Sequence, residues 1–563
     1  MTFVARTCGL IIAISVFALL PHCLAGASQN TKPAQRESSE AGQTFKIAGT
    51  VVSSTTGALL SQARISITDT KNSGMLNSVI TSEDGHFEFS RLKPGKYSLR
   101  GAKRGFLSAA YDQHDQFSTA IVTGPDFPTE HLVLRLTPMA LISGHVLDEF
   151  GDPVRSANML LYFEAHGAGM TRIIRFSSSS SDDRGFYEFS MLGPGKYYVS
   201  VTAKPWYAVH PATASDAGTS PARQVSPSLD VAYPVTFYSG ATESDRATPI
   251  EVKGGDRLQI DVHLNPVPAL HLIFRVPQEG PDQPNNFSAP ILRKHVFDSA
   301  EFVQTEGMHQ VAPGVYELTG LSPGRYTAIM KNSNSGQLEQ STDLDLVHDA
   351  QELNASRGEP LGSLKLTLKM PGEETLPKQY GIALQDSRRR FAAFKQGDPS
   401  GQVSFEDLPP GRYAILVFSG PKPYSVVRTS SQAGEFPGHD INVTPGAALE
   451  LTASLAVGIV SIEGAVQKKD KPIAGVMVAL VPKDPEAHVE LFRRDQSDFD
   501  GTFVLRGVIP GSYTIVAVED AWGFDWQQPG VLARYVQHGQ NLIIGERMRG
   551  TVHLPDPVEV QPH

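Results

Sequence analysis

A short motif, Pro-Gly-x-Tyr, occurs five times along the chain and constrains the fold more than any other feature. Its proline, glycine and tyrosine are, in chain order, Pro94, Gly95 and Tyr97; Pro194, Gly195 and Tyr197; Pro323, Gly324 and Tyr326; Pro410, Gly411 and Tyr413; and Pro510, Gly511 and Tyr513. In every copy the residues seven and five positions before the proline, and the residue five positions after it, are apolar. Apolar residues at every second position share one face of a β-strand. Each copy therefore predicts a strand, a tight connection and a second strand.

The residue types of the motif predict the geometry of the connection. Proline presets φ for the first corner, and glycine is expected to supply a positive φ at the second. The leucine or valine two residues before each proline is expected to close the end of a core. The tyrosine is expected to open the next strand with its ring inward and its hydroxyl at the rim, where a carbonyl or water accepts its hydrogen bond. Glycines shortly after Asp84, Asp183 and Asp500 predict hairpin turns before the first strand.

The number of copies predicts the number of domains. A length of 563 residues suits about three to five domains, and the repeat favours five. Abundant proline and glycine, with no long helical periodicity, indicate an all-β chain. The predicted domains are β-sandwich 1 at 45–138; β-sandwich 2 at 139–268, with a long insertion at 203–238; a degenerate β-sandwich 3 at 269–350; β-sandwich 4 at 360–456; and β-sandwich 5 at 457–563. Because each domain can bury its own core, we expect beads on a string rather than a solenoid.

The start of the chain is typical of an exported protein. Residues 1–27 contain Arg6, an apolar run too short to span a bilayer comfortably, and small residues at 25–27, which together predict a cleaved signal peptide. A lipoprotein signal at Cys23 and an uncleaved anchor are the alternatives. Residues 28–44 are polar and predict a disordered linker. No later segment is apolar enough to span a membrane, so we expect a secreted or periplasmic protein.

Charge and cysteine content exclude several kinds of site. The two cysteines, Cys8 and Cys23, lie within the predicted signal, so we expect no disulfide or thiolate site in the exported chain. Lys and Arg total 49 against 59 Asp and Glu, a mildly acidic balance. The basic cluster at 388–390 is interpreted as a solvated strand end or turn. We therefore expect no nucleic-acid partner.

Several short motifs resemble one domain family. They are Gly-x-Val at Gly49, Gly144 and Gly464, Gly-Asp-Pro-Val at Gly151, Asp-Gly-x-Phe at Asp84 and Asp500, and Leu-x-Pro-Gly-x-Tyr at Leu92, Leu192, Leu321 and Leu408. They resemble the carboxypeptidase regulatory-like domain, a transthyretin-like (prealbumin-like) β-sandwich. The resemblance implies a tandem array of about five seven-stranded transthyretin-like sandwiches. It also implies an accessory domain without zinc ligands, and a carbohydrate-binding-like fold group, a label that rests on fold analogy.

Catalytic motifs are not recognisable in the sequence. Zinc-peptidase, serine-hydrolase, phosphate-loop and dinucleotide signatures are missing, and the histidines stand alone. One turn aspartate per domain supplies too few oxygens for calcium. We therefore expect a non-enzymatic protein with no metal and no cofactor, although a triad assembled from distant loops stays open.

Aromatic residues outside the repeat suggest a second function. Sugars stack on exposed rings, and rings occur in the long insertion and near the end of the chain: Trp206, Tyr207, Tyr238, Trp522 and Trp526. The favoured interpretation, however, is that these rings pin long loops onto their own domains. The favoured function is a structural, adhesive or interaction scaffold that binds an envelope protein or polysaccharide. A carbohydrate-binding array and an accessory subunit of an envelope peptidase or outer-membrane transporter are the alternatives.

Overall fold

The computed structural model describes residues 43–71, 75–166, 169–211, 226–275, 290–303, 308–312, 315–331, 338–354, 359–372, 374–419, 422–528 and 530–563. The predicted signal peptide and nearly all of the predicted linker lie outside the described residues. Strands dominate the described part of the chain, as expected from the all-β prediction. Among the described residues no helix is both long enough and apolar enough to cross a membrane.

Sandwich 1 has two sheets and a core between them. Its strands are β1 (Phe45–Ser53), β2 (Arg64–Asp69), β3 (Met75–Ile80), β4 (His86–Leu92), β5 (Gly95–Ala102), β6 (Ala109–Ala110), β7 (Ile121–Thr123) and β8 (Leu132–Leu136). One sheet has the order β4-β1-β8, and the other has the order β3-β2-β5-β6 with β7 also on β5. Ile47, Phe87 and Leu99 are among the side chains that fill the space between the sheets.

Sandwich 2 repeats this plan and adds a small sheet from the long insertion. Its strands are β9 (Ala140–Leu147), β10 (Asn158–Ala165), β11 (Arg172–Ser180), β12 (Phe186–Leu192), β13 (Gly195–Thr202), β14 (Val231–Ala232), β15 (Thr236–Phe237), β16 (Ile250–Val252), β17 (Arg257–Gln259), β18 (Val262–His263) and β19 (Val267–Pro268). The sheet orders are β12-β9-β17, with β18 also on β9, and β11-β10-β13-β15, with β16 also on β13. The insertion contributes β14, which pairs with β19. The core between the two main sheets includes Ile142, Tyr187 and Val199.

Sandwiches 3 and 4 follow the same plan. Sandwich 3 has β20 (Leu270–Arg275), β21 (Ile291–Val296), β22 (Ser299–Phe302), β23 (Met308–Ala312), β24 (Val315–Leu321), β25 (Gly324–Lys331), β26 (Leu338–Leu346), β27 (Gln351–Asn354) and β28 (Glu359–Pro360). Sandwich 4 has β29 (Gly362–Lys369), β30 (Gly381–Asp386), β31 (Phe391–Gln396), β32 (Gln402–Leu408), β33 (Gly411–Phe418), β34 (Tyr424–Ser431), β35 (Gly434–Pro437), β36 (Asp440–Val443) and β37 (Ala448–Val457). The sheet orders are β23-β24-β20-β27 with β22-β21-β25-β26-β28, and β32-β29-β37-β34-β35 with β31-β30-β33-β36.

Sandwich 5 joins its strands into one sheet that folds around its core. Its strands are β38 (Val460–Lys468), β39 (Lys471–Pro472), β40 (Met477–Pro482), β41 (Arg493–Gln496), β42 (Thr502–Val508), β43 (Gly511–Val518), β44 (Gln540–Ile544), β45 (Gly550–His553) and β46 (Val558–Gln561). The central order is β39-β38-β46-β43-β40-β41. A short helix, α1 (Ala533–Val536), lies between β43 and β44. The fold-class prediction of an all-β tandem sandwich array is confirmed.

The first strand of each sandwich explains the Gly-x-Val motif. That strand pairs antiparallel with the strand before the Pro-Gly connection and parallel with a late strand, as β1 does with β4 and β8. A Cβ on Gly49 would lie 2.0 Å from the carbonyl oxygen of Leu132, and one on Gly144 would lie 1.9 Å from that of Ile260. Only glycine lets the two backbones approach so closely.

The five repeat tyrosines occupy the same corner of five sandwiches. Each ring is at most 5% exposed. Each hydroxyl donates to the carbonyl oxygen four residues earlier: Tyr97 to Lys93 at 2.8 Å, Tyr197 to Gly193 at 3.1 Å, Tyr326 to Ser322 at 2.6 Å, Tyr413 to Pro409 at 2.5 Å and Tyr513 to Ile509 at 2.7 Å. This arrangement confirms the expected placement of ring and hydroxyl.

The backbone of this corner differs from the prediction. Gly195 and Gly324 have φ near 150°, whereas φ of the other motif glycines lies outside the left-handed region. The left-handed residue lies three positions before the proline in every copy: Arg91, Met191, Gly320, Asp407 and Gly507, with φ between 58° and 74°. The pairing with the first strand shifts register there, so a bulge turns the chain toward the other sheet. The positive φ predicted for the motif glycine is therefore present in Gly195 and Gly324 and is wrong for the other three copies.

The aspartate–glycine turns also join sheets rather than paired strands. Gly85, Gly185 and Gly501 have φ between 71° and 78°, so the expected need for glycine is confirmed. However, β3 pairs with β2 and β4 pairs with β1, so the turn between β3 and β4 crosses from one sheet to the other. The hairpin prediction is therefore wrong, because the apolar faces of both strands must point into one core.

Candidate functional site

Sandwiches 1 and 5 contact each other, which corrects the expectation of beads on a string. Gln496 on β41 is 1% exposed, and its amide donates to the carbonyl of Asp112 (2.6 Å) and to Thr119 Oγ1 (2.8 Å). The backbone N–H of Phe499 donates to the carbonyl of Ala120 at 3.0 Å. These hydrogen bonds satisfy buried polar groups of both domains in place of water. The contact between the two sandwiches is therefore specific.

Lys96 adds a charge contact to this interface. Its Nζ lies 2.6 Å from Asp498 Oδ2 and 3.3 Å from Asp500 Oδ1, and it also contacts Thr502. Burial raises the pKa of Asp498, although Lys96 opposes that shift. Burial also acts to raise the pKa of Asp500, but hydrogen bonds from Thr502 and the charge of Lys96 lower it overall. The three charged side chains are 17–28% exposed, so water screens their attraction less than it screens a surface pair.

Trp522 belongs to the same interface. Its ring stacks on His114 with centroids 4.9 Å apart and planes 8° apart, and its Nε1 donates to the carbonyl of Gly475 at 3.1 Å. The Arg494 guanidinium, on a side chain that is 4% exposed, lies 6.0 Å from the Trp522 ring and 3.4 Å from Asp115. Trp522 therefore holds sandwich 5 against sandwich 1, and His114 covers one face of its ring.

Trp526 is buried as well. It is 8% exposed, and a Cβ on Gly169 would lie 2.3 Å from its ring. Beside it the backbone N–H of Gln527 donates to the carbonyl of Gly169 at 2.8 Å, and Thr171 Oγ1 donates to Asp525 at 2.8 Å. These contacts join sandwiches 2 and 5, so this tryptophan also pins a loop instead of facing solvent.

Trp206 is the exposed member of the predicted aromatic set. It is 87% exposed and lies edge to face with Tyr207 at 5.8 Å. The hydroxyls of Tyr207 and Tyr233 both donate to Glu149, which holds the segment in place. Tyr238 is partly buried against the core of sandwich 2. The carbohydrate hypothesis therefore depends on Trp206 and stays a prediction.

Sandwiches 2 and 3 meet through an apolar plug. Phe297, between β21 and β22, has its ring centroid 5.1 Å from that of Tyr162, 4.9 Å from Tyr198 and 5.5 Å from Phe237. Tyr162 and Phe237 are fully buried. Burial of this apolar surface stabilises the contact without any charge at its centre.

A chain of polar side chains also joins sandwiches 2 and 3 and brings predicted lone histidines together. His210 Nδ1 lies 2.8 Å from Asp230 Oδ1, and His271 Nε2 lies 3.1 Å from Asp230 Oδ2. His271 Nδ1 lies 2.9 Å from the fully buried Glu317. His210 and Asp230 come from the insertion of sandwich 2, whereas His271 and Glu317 belong to sandwich 3. The expectation of isolated histidines is therefore wrong here.

A cavity of about 870 Å³ lies where sandwiches 2, 4 and 5 meet. Its wall includes Arg172 of sandwich 2, Arg389 and His439 of sandwich 4, and Glu490 and Gln527 of sandwich 5. We call it the junction cavity. Its mostly apolar lining, with a few charged side chains, and its position between domains are features of a binding site.

Arg389 shows how the basic cluster is used. It has φ of 59° in the turn between β30 and β31, which agrees with the predicted turn. Its guanidinium, however, is partly buried and lies 3.3 Å from Met170 Sδ and 3.4 Å from the carbonyl of Gln527. Burial and the charge of Arg172 lower the pKa of Arg389. The expectation of a solvated cluster is therefore wrong for this residue, which links three sandwiches.

The edge strand β31 carries exposed phenylalanines. Phe391 and Phe394 are 61% and 64% exposed, and Phe418 at the end of β33 is 45% exposed. The rings of Phe391 and Phe418 lie 6.2 Å apart, and Phe394 lies over Gly381. Among the described strands, β31 pairs on one side with β30 and has no partner on the other. We call these three residues with the free edge of β31 the aromatic edge.

Sequence reasoning missed the interdomain contacts because their signals are not local. Lys96 sits directly before a repeat tyrosine, and Asp498 and Asp500 flank an aspartate–glycine turn, so both sets look like ordinary turn residues. The short strand β41 consists only of polar and charged residues. Because a sandwich rarely buries such residues unless they have a polar partner, this run could have indicated a contact with another domain.

Comparisons with known proteins support the family resemblance. Residues 46–123 match the carboxypeptidase regulatory-like domain, and residues 458–542 match the second beta sandwich domain described as BOS complex subunit NOMO1-like. The predicted resemblance to a carboxypeptidase regulatory-like repeat protein is therefore confirmed. No curated protein matches the sequence.

Similar solved structures are remote. The Bacillus anthracis TIE protein is 11% identical, with 75% of this chain and 76% of that chain covered and a TM-score of 0.18. The Streptococcal ancillary pilin is 14% identical, with 55% and 98% covered and a TM-score of 0.20. BcpA, the major pilin subunit of Bacillus cereus, is 10% identical, with 73% and 99% covered and a TM-score of 0.14. Likenesses at these scores carry no argument about function.

Proposed function

We propose that this protein is a non-enzymatic scaffold, exported to the periplasm or the cell surface, that presents one docked array of β-sandwiches to a partner. The contact between sandwiches 1 and 5 is the observation that carries the proposal. There Gln496 is almost fully buried and Lys96 bridges two carboxylates of the other domain. A docked array holds its surfaces in fixed positions, which freely hinged domains do not. Export rests on the signal peptide predicted at residues 1–27.

The aromatic edge is the surface that we assign to the partner. A free strand edge presents backbone N–H and C=O groups that an added strand can satisfy, and exposed phenylalanines beside it bury apolar side chains. The partner that fits is an extended polypeptide segment with apolar side chains at alternate positions. Because the edge belongs to sandwich 4, the segment would bind next to the junction cavity.

Small-angle X-ray scattering tests the docked array. We expect the protein without residues 1–27 to scatter as one compact particle, and the double variant K96M/Q496A to have a larger radius of gyration. An exposed lysine, replaced in K93M, serves as the control and should leave the radius unchanged. Wild-type scattering typical of five freely hinged domains would contradict the proposal.

Crosslinking in the native envelope tests the assigned surface. We expect a polypeptide partner whose crosslinks map to residues 391–396 and which is lost in the Phe394→Ser variant. The matched control is Phe150→Ser, which replaces a phenylalanine 76% exposed on sandwich 2. Equal capture by both variants, or crosslinks that map elsewhere, would contradict binding at the aromatic edge.

Carbohydrate binding is the second candidate function, favoured by the exposure of Trp206. A ring that is 87% exposed and held by a neighbouring tyrosine has the free face that sugar stacking requires. We expect any retardation in polysaccharide affinity gels to disappear in Trp206→Ala. Phe150→Ala is the matched control, because it removes another ring, 76% exposed, from the same sandwich. Retardation that survives in Trp206→Ala would rule out this site.

A further inference from the structure

Three metal-ligating side chains meet where sandwich 4 contacts sandwich 5. His439 directly precedes β36 of sandwich 4. His488 directly precedes the 3₁₀ turn Val489–Leu491 of sandwich 5, and Glu490 lies within that turn. Because the side chains come from two domains, the cluster forms only when the domains dock. His439 and Glu490 also line the junction cavity.

The distances between these side chains suit a shared ion. One ligand atom from each residue lies within 4.8 Å of the other two. Glu490 Oε1 lies 3.8 Å from His439 Nδ1 and 3.5 Å from His488 Nδ1. A tetrahedral zinc ion with bonds of about 2.1 Å holds its ligand atoms about 3.4 Å apart. The two histidine–glutamate distances therefore lie within a few tenths of an ångström of the spacing that one ion requires.

Direct hydrogen bonds do not account for the cluster. At 3.5 and 3.8 Å, the two histidine–glutamate distances exceed those of normal hydrogen bonds. His439 Nδ1 is buried without a hydrogen-bond partner, on a side chain that is 11% exposed. A buried ring nitrogen without a partner is costly, whereas a metal ion would use its lone pair.

Neighbouring groups hold two of the ligands in position. Ser425 Oγ donates to Glu490 Oε1 at 2.9 Å, and Asp440 Oδ1 lies 3.7 Å from the other ring nitrogen of His439. The hydrogen bond from Ser425 fixes the orientation of the Glu490 carboxylate. Arg493 Nη1 donates to the backbone carbonyl of Glu490 at 2.8 Å, which fixes the turn from the opposite side.

We propose that His439, His488 and Glu490 bind one divalent transition-metal ion that joins sandwiches 4 and 5. Two imidazoles and one carboxylate are a ligand set that zinc accepts readily, and a fourth position would face the junction cavity. The site does not depend on the proposed scaffold function, because it needs only the contact between two adjacent sandwiches.

Isothermal titration with ZnCl₂ tests the proposal on the full chain after treatment with EDTA. We expect one equivalent of zinc to bind, with an affinity at least tenfold weaker in each of H439Q, H488Q and E490Q. The matched control is H553Q, because His553 Nδ1 also lies 3.4 Å from a glutamate, Glu463, but in an exposed pair without a third ligand. H553Q should bind zinc as the wild type does.

Cobalt(II) absorption provides a second readout that does not depend on the variants. Cobalt in a four-coordinate site gives intense visible bands, whereas cobalt on surface carboxylates gives weak ones. We expect intense bands for the wild type that zinc removes at one equivalent. The absence of saturable zinc binding, weak cobalt bands, or undiminished binding in the three ligand variants would each overturn the proposal.

Discussion

The contact between sandwiches 1 and 5 and the contact between sandwiches 2 and 3 are built from different interactions. The first is joined by a lysine between two aspartates, a buried glutamine and backbone hydrogen bonds. The second is centred on the ring of Phe297 among Tyr162, Tyr198 and Phe237. The first interface therefore has a polar centre, with the stack of Trp522 on His114 at its side. The second has an apolar centre, and a separate polar chain from His210 to Glu317 also joins its two domains.

The difference reflects how each pair of domains meets. Sandwiches 2 and 3 follow each other in the chain, so the short connection already brings them together. Sandwiches 1 and 5 have three domains between them, and many orientations compete. Directional hydrogen bonds and paired charges disfavour wrong orientations, since a misplaced partner leaves a buried group unsatisfied. The polar interface thus specifies an arrangement that connectivity does not impose.

Removal of the apolar plug should have the largest effect. We expect Phe297→Ala to destabilise the contact of sandwiches 2 and 3 by about 2–4 kcal/mol, because a ring is lost from a packed aromatic cluster. Hydrogen exchange of residues 158–163 and 235–241 should report it. Phe302→Ala removes a ring that is 66% exposed on the next strand and should change exchange little. Equal changes in exchange after both substitutions would show that Phe297 stabilises the contact no more than an exposed phenylalanine does.

Removal of the bridging charge should have the next largest effect. We expect Lys96→Met to destabilise the contact of sandwiches 1 and 5 by about 1–3 kcal/mol, because Asp498 and Asp500 then remain partly buried without a cation. Hydrogen exchange of residues 495–502 should rise while that of residues 235–241 stays constant. A parallel rise in both segments would contradict the independence of the two interfaces.

A smaller, pH-dependent effect on stability is expected from Asp495, which lies beside Gln496 on β41. Burial raises the pKa of Asp495 to about 6. Folding therefore favours the protonated form of Asp495. The contribution of the protonated carboxyl to stability is fully present below about pH 4 and is lost as the pH rises through about 6. We expect Asp495→Asn to raise stability by about 1–2 kcal/mol at pH 7.5 and to change it little at pH 4. Urea unfolding at both pH values measures this, and an equal effect at both would contradict the assignment.

Removal of a tyrosine hydroxyl at the repeat corner should have the smallest effect on stability. It measures a contact within one sandwich, for comparison with the contacts between sandwiches. We expect Tyr97→Phe and Tyr197→Phe to cost about 0.5–1.5 kcal/mol each, because each removes one hydrogen bond to a carbonyl. The two costs should agree, since the corner is the same in sandwiches 1 and 2 although their interfaces differ. Urea unfolding of the two variants, compared with each other, checks this equality. Clearly unequal losses of stability would mean that the contacts between domains also affect the repeat corners.

Much of each sandwich could be predicted, because its signals are local. Alternation of apolar residues around Pro94 or Pro510 indicates strands directly, and the tyrosine three residues later has one place where both its ring and its hydroxyl are satisfied. The bulge three residues before the proline could not be predicted, since Arg91, Met191 and Asp407 are not residues that mark a positive φ strongly. Trp522 and Trp526 could not be told from exposed rings, because the surfaces that cover them belong to other domains.

By itself, the amino-acid sequence determined that this protein is a series of β-sandwiches with a common corner. The alternation of side chains along a strand is a property of the backbone and needs no knowledge of distant residues. Only the tertiary structure decided which sandwiches touch, where the junction cavity lies, and that His439 meets His488 and Glu490. Those contacts depend on the relative positions of whole domains, and such positions are set by the combined fit of many residues far apart in the chain.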